Sequence, residues 1–239
     1  MDPRALLESL LQSGKELATQ TLESGRDLAE KGRDLAEDKL GIPEDGTQRD
    51  ETLSNLGKGA AVGGLLALLV GTERGRDVAG SAAKIGGLAA LGGLAYKVYR
   101  DYQSKNGDST EIGSSVSDLS GDEGQNRSVN LIKAMIAAAK ADGHMDSTEQ
   151  ARLIEQIQVL GLDESVATSL KDEIGRPLNA QEIASLSDSP AAAAEIYLAS
   201  RMVIDVDRQS ERDYLDALSN ALKLDPLFVA ELESEAMAA

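Results

Sequence analysis

From Ser128 onward, large apolar residues recur at intervals of three and four, the period of an α-helix. Leu131, Ile132, Met135, Ile136 and Ala139 share one helical face. Asp146 opens a second helix, which carries Ala151, Ile154, Ile157, Val159 and Leu160 and closes at Gly161. Asp163 heads a third through Val166, Leu170 and Ile174, ended by Gly175 and Pro177. Asn179 followed three residues on by Glu182 is a capping-box pattern and starts a short fourth. Pro190 suits the first turn of a fifth, running through Ile196, Leu198, Met202 and Val203. Residues 210–222 and 226–235 complete the set. No window alternates polar and apolar positions, so the expected fold class is all-α, with about seven helices over residues 128–239.

The pattern upstream is different. Residues 1–40 carry a thin leucine stripe at Leu10, Leu17, Leu28 and Leu35, inside the fragmentary repeats GKELA, GRDLAEK and GRDLAED. Spacings of seven and eleven both keep leucines on one side of a helix. Gly14, Gly25 and Gly32 each cost roughly 1 kcal/mol of helix stability relative to alanine. The expectation is an amphipathic helix that forms against a membrane surface or another helix, with a solvated, frayed helix as the alternative. Pro43 and two glycines break the pattern across residues 41–55, which form a linker.

Residues 56–102 are apolar and dense in glycine: 11 of the 23 glycines fall between Gly57 and Gly93. In water such density ruins a helix, whereas in lipid small residues let helices approach closely. Gly59, Gly63, Gly64, Gly71, Gly86, Gly87, Gly92 and Gly93 are the candidate packing positions of a membrane-associated helical segment or hairpin. Length works against full spans. The uncharged run of 13 residues, 59–71, makes about 20 Å of helix against a hydrocarbon core of about 30 Å. The second run, 78–96, is interrupted by Lys84. Tyr96 and Tyr99, with Tyr102, Lys97 and Arg100, resemble an interfacial belt. A soluble or self-associating glycine-zipper hairpin is the alternative. The apolar part begins far along the chain and is not expected to be a cleaved leader. Residues 103–127, rich in Ser, Gly and Asp, read as a flexible linker.

Composition narrows the chemistry. Aromatics are only 3%, with one Phe and no Trp, so the apolar content is Ala, Leu, Ile and Val, which favours close-packed helices. The absence of cysteine excludes disulfides and thiolate metal sites. A formal charge of −17 excludes a nucleic-acid partner, which needs clustered Lys and Arg. There is no Gly-x-Ser-x-Gly elbow or P-loop, and the single histidine, His144, has no partner motif. The chain is therefore not expected to be an enzyme.

The stretch ADGHMDSTE, 141–149, has an echo in IDVDRQSERDY, 204–214. In each, an apolar helix ends at an aspartate, Asp142 or Asp205. A second aspartate follows, Asp146 or Asp207, and then an acid one turn into the next helix, Glu149 or Glu211. If the two turns approach one another, six carboxylates converge, and a hard divalent cation (Ca²⁺, Mg²⁺, Mn²⁺ or Zn²⁺) would relieve their repulsion. The alternative is capping: Asp146 and Glu149 are what a helix start wants, and Gly143 suits a left-handed residue after a helix. The second turn carries Val206 where the first has Gly143, and is one residue shorter. His144 reads as an exposed turn residue.

These two blocks resemble the paired blocks of TerB-like domains, named from tellurite-resistance proteins. The glycine-rich GKGAAVGGLLALLVG ahead of them is similar to a bacterial inner-membrane family of unknown function typified by YebE. The resemblance covers roughly residue 53 to the end. It implies an acidic all-helical domain, inner-membrane association, links to envelope or chemical stress, and metal binding by Asp142, Asp146, Glu149, Asp205, Asp207 and Glu211. It implies no reaction. The expected function is a membrane-anchored, non-catalytic interaction or adaptor protein. Membrane lipid and an unidentified protein are its expected partners, with self-association through the glycine-rich segment. A divalent-cation sensor or buffer is the alternative.

Overall fold

A helix that is small and apolar on every side must be surrounded, and the segment PAAAAEIYLASRMV is one. In the computed structural model, which describes residues 2–11, 88–107, 110–143, 145–204, 206 and 208–238, this segment is the hub. Every regular element among the described residues is helical. These are α1 (residues 3–11), α2 (Leu88–Asn106), α3 (Gly121–Ala139), α4 (Ser147–Val159), α5 (Glu164–Gly175), α6 (Ala180–Ala184), α7 (Pro190–Val203), α8 (Gln209–Ala221) and α9 (Pro226–Ala238). Helix α7 packs most extensively on α3 and also meets α2, α6, α8 and α9. Four consecutive alanines, Ala191 to Ala194, all buried, let those neighbours come close. Helices α4 and α5 pair with each other, and α5 leans on α3.

The seven helices from Gly121 onward agree with the periodicity, and their ends are set locally. Asn179 accepts from the Gln181 and Glu182 amides at 3.1 and 3.3 Å and starts α6. Ser189 Oγ accepts from Ala192 N at 3.2 Å, with Pro190 in the first turn of α7. Gly161, at φ +60°, ends α4.

Two additional helices join the bundle. In α1, Leu6, Leu7, Leu10 and Leu11 are all buried in the common core. Arg4 donates to the carbonyls of Ser117 (2.9 Å) and Leu119, while Gln125 Nε2 donates to Asp2 Oδ2 at 3.1 Å. The rest of the expected amphipathic stripe, Leu17, Leu28 and Leu35, lies outside the described residues.

Helix α2 departs from the expected membrane segment. Leu91, Ala95 and Val98 are buried in the bundle. Tyr99 and Tyr102 meet the Phe228 ring edge-on, with centroids 5.1 and 5.5 Å away, which fixes α2 against α9. On the outer side Lys97 pairs with Glu235 at 2.9 Å, and Lys105 pairs with Glu231. Among the described residues no helix is long and apolar enough to cross a membrane.

The expected linker also differs. Residues 121–127 are the opening turns of α3, and the stretch 110–120 is a strap laid on the bundle with Ser115 and Val116 buried. Ile112 O accepts from Ala191 N at 2.9 Å, and Gln103 Nε2 donates to Thr110 O at 2.6 Å. Few apolar side chains are needed, because the strap is held through its backbone.

Candidate functional site

The two acidic turns sit at the ends of α3 and α7. In the first, Asp146 Oδ1 accepts from Thr148 N at 2.7 Å and Glu149 N at 2.9 Å, and Glu149 Oε2 accepts from Asp146 N at 3.1 Å. This is a complete capping box on α4. In the second, Glu211 Oε2 accepts from Arg208 N at 3.1 Å, the returning half of the same device. An arginine side chain has no acceptor for the other half. Gly143 has φ +72° and Val206 has φ +61°, so the echo in sequence is an echo in backbone shape. A β-branched residue rarely adopts that left-handed conformation. Arg212 Nη1 donates to Val206 O at 2.7 Å and braces the turn.

The turns approach each other. Arg208 Nη1 lies 3.7 Å from Asp142 Oδ2, both side chains being partly buried, so a guanidinium from the second turn faces a carboxylate of the first. Of the six candidate ligands, the structure therefore gives Asp146, Glu149 and Glu211 capping roles and Asp142 an ion pair. Asp205 and Asp207, with His144, lie outside the described residues. Among the described residues no group of three or more His, Cys, Asp or Glu is placed to hold a metal ion.

The candidate membrane-packing residues divide similarly. Gly59, Gly63, Gly64, Gly71, Gly86 and Gly87 lie outside the described residues. Gly93 is exposed, and a Cβ there would meet nothing within 4 Å. Gly92 faces inward: a Cβ would lie 2.2 Å from Ser115 Oγ and 3.3 Å from Glu195 Oε1. Tyr96 is 37% exposed, and Tyr99 is half-buried against Phe228.

Gly92 leads to a cluster that sequence reasoning missed. Glu195, fully buried on α7, accepts from Val116 N at 2.7 Å and from Arg127 Nη1 at 2.8 Å. Arg127, 4% exposed, also donates to Asp188 Oδ1 at 2.5 Å. Burial pushes the Glu195 carboxyl above its ordinary range, opposed by the Val116 amide, Arg127 and the Ser115 hydroxyl. The signal in the sequence was a lone acid inside an apolar helix, which must find a partner when buried. A second such pair joins α3 to α5. Lys140 Nζ donates to the carbonyls of Glu173 (2.6 Å) and Arg176 (2.7 Å) and lies 4.0 Å from Glu173 Oε1.

Residues 55–236 match the family model described as protein of unknown function, DUF533. The chain belongs to the DUF533 family. The matched stretch takes in the glycine-rich run together with α2 to α9, and leaves α1 outside. A Yersinia enterocolitica protein described as an uncharacterized protein in the ampR 5′ region is 35% identical over 94 residues, 39% of this chain and 68% of that relative. No solved structure matches. In this DUF533 chain, helix α2 is thus part of the same matched unit as the bundle on which it packs.

Proposed function

We propose that the chain is a non-catalytic, membrane-associated adaptor of the bacterial inner membrane. In this view the stretch 56–87 associates with lipid, while the helical bundle meets a protein partner in the adjacent aqueous compartment. The observation that carries this proposal is the docking of α2. The glycine-rich run leads straight into a helix whose Leu91, Ala95 and Val98 are buried in the bundle, so no free tether intervenes.

Length selects the kind of association. With α2 committed to the bundle, the apolar runs left are 59–71 and 78–87. Neither reaches the roughly 20 residues of a full span, so a shallow hairpin in one leaflet fits better. The resemblance to the inner-membrane family typified by YebE supports the same placement and a link to envelope stress.

The test is fractionation of the full-length chain beside a variant lacking 56–87. The full chain is expected with membranes after a high-salt wash, and the deletion in the soluble fraction. A full-length chain wholly in the soluble fraction refutes membrane association.

A second reading is a divalent-cation sensor. The two acidic turns lie close together, but a guanidinium already faces Asp142, so a cation there would have to displace Arg208. Titration of Ca²⁺, Mg²⁺, Mn²⁺ and Zn²⁺ against wild type and Asp146→Asn separates this role from capping, since Asn still caps but loses the charge. A melting temperature unmoved by all four cations ends it.

A further inference from the structure

Helix α1, residues 3–11, sits in the bundle as a bound peptide helix sits in a groove. Leu6 and Leu7 recur one turn on as Leu10 and Leu11, so the four form one face, and that face is wholly buried. Polar contacts at one end fix its register. Arg4 donates to the strap carbonyls of Ser117, at 2.9 Å, and of Leu119, while Asp2 Oδ2 accepts from Gln125 Nε2 of α3 at 3.1 Å. Asp2 also caps α1, its Oδ1 accepting from Arg4 N at 2.8 Å. Gly124 makes room for the clamp: a Cβ there would lie 3.3 Å from Arg4 Nη1 and 3.0 Å from Leu119 O. The groove thus selects two leucine pairs one turn apart, with an arginine two residues ahead of the first.

These contacts, and no short turn, hold the helix in place. Residues 3–11 fall below the about 12–15 residues that an isolated helix needs, so α1 takes its order from docking. Residues 12–87 separate it from α2, and it lies outside the stretch 55–236 that matches the family. The longer a connection, the lower the effective concentration with which it returns its own segment to a site. A second copy carries the same leucine pairs and the same arginine at identical spacing, which a foreign partner would have to reproduce. Exchange of an identical element between copies replaces each contact by its equal and therefore costs little.

We propose that the groove formed by the strap and the start of α3 takes residues 2–11 of a second copy, so that two chains associate by exchanging α1. Arg4 of one copy meets the Ser117 and Leu119 carbonyls of the other, and its leucine face fills the other's core. This goes beyond the membrane reading and does not depend on it, since the exchange requires no lipid.

The probe is a fluorescein-labelled peptide with the sequence of residues 2–12, titrated with the purified full-length chain and followed by anisotropy. Saturable binding is expected in the range of about 10–300 μM. A peptide carrying Leu7→Asp and Leu10→Asp should not bind. Arg4→Gln should act in opposite directions. In the peptide it removes the clamp and weakens binding at least about threefold; in the chain it frees the groove of its own α1 and tightens binding of the unaltered peptide by a similar factor. A purely structural role for Arg4 does not produce the second effect, and Arg4→Gln leaves the buried leucines in place. Sedimentation of the full-length chain should show a dimer that grows with concentration and is dissociated by excess unlabelled peptide. No saturable binding to the wild-type or Arg4→Gln chain up to about 1 mM, or the same direction for both Arg4→Gln changes, overturns the proposal. So does a chain that binds the peptide yet stays monomeric up to about 300 μM, which assigns the groove to a helix of another protein. A dimer that excess peptide leaves intact is held elsewhere and overturns it as well.

Discussion

Replacing Gly92 by alanine puts a methyl group into the tightest contact between α2 and the strap. The new Cβ would lie 2.2 Å from Ser115 Oγ, 3.2 Å from Val116 Cγ1 and 3.3 Å from Glu195 Oε1. Ser115 can yield by turning its hydroxyl away, which gives up contacts to the Ser117 hydroxyl at 2.9 Å and the Ser117 amide at 3.3 Å. Such hydrogen bonds are worth about 1 kcal/mol each, and overpacking of a filled site costs about 1–3 kcal/mol. Alanine returns about 1 kcal/mol of helix propensity. The expected net destabilisation is about 2–4 kcal/mol, or a fall in Tm of about 2–4 °C per kcal/mol for a domain of this size. Gly93→Ala supplies the control, because it gains the same propensity with nothing within 4 Å to clash. Its Tm should hold or rise by up to about 4 °C. The assay is thermal melting of the full-length chain by circular dichroism, with Gly92→Ala/Ser115→Ala as a partial rescue recovering about 1 kcal/mol. Equal melting temperatures for the two glycine variants would refute the docking of α2 beneath the strap.

Other consequences follow from the same contacts. Glu195→Ala leaves the Arg127 guanidinium and the Val116 amide buried without their acceptor, and should cost about 3–5 kcal/mol in urea unfolding. Because the folded pKa of Glu195 is raised, the folded chain holds the extra proton longer than the unfolded one. Stability should therefore fall as pH rises from the ordinary glutamate pKa through the higher folded value, and Glu195→Gln should remove that part of the slope. Gly143→Ala has open space around it but a φ of +72°, so its cost is backbone strain of about 1–2 kcal/mol. Asp146→Ala should lose about 1 kcal/mol of capping while Asp146→Asn stays within a few tenths, both read by chemical denaturation. Phe228→Ala empties the socket against Tyr99 and Tyr102 and should cost about 3–5 kcal/mol, with loss of α2 protection in hydrogen exchange.

The legible part of the fold was the part written in short range. Asp146 with Glu149, Asn179 with Glu182 and Ser189 with Pro190 announce helix starts because a cap touches amides only two or three residues away. The likeness of the two acidic turns was legible too, but a left-handed residue was expected only at Gly143, and that Val206 shares the conformation is seen only in the structure. What each acid does was half legible: Asp146 and Glu149 read as caps from spacing, whereas the pairing of Asp142 with Arg208 spans 66 residues. Residues 88–102 misled because Gly-rich apolar sequence has two solutions, lipid or a closely approaching neighbour. Composition alone does not distinguish them.

Helical class, and the ends and apolar faces of most helices from Asp146 onward, were thus determined by the sequence itself, since periodicity and capping act within one or two turns. Only the tertiary structure decided that α2 is a bundle helix, that the serine-rich stretch is a fixed strap, and that Arg127 and Glu195 neutralise each other inside the core. Each of these depends on a group far along the chain: Ser115 against Gly92, Ala191 against Ile112, Arg127 against Glu195. A buried charge or an unpaired backbone amide demands a partner but does not specify which one, and only the folded packing brings that partner within reach.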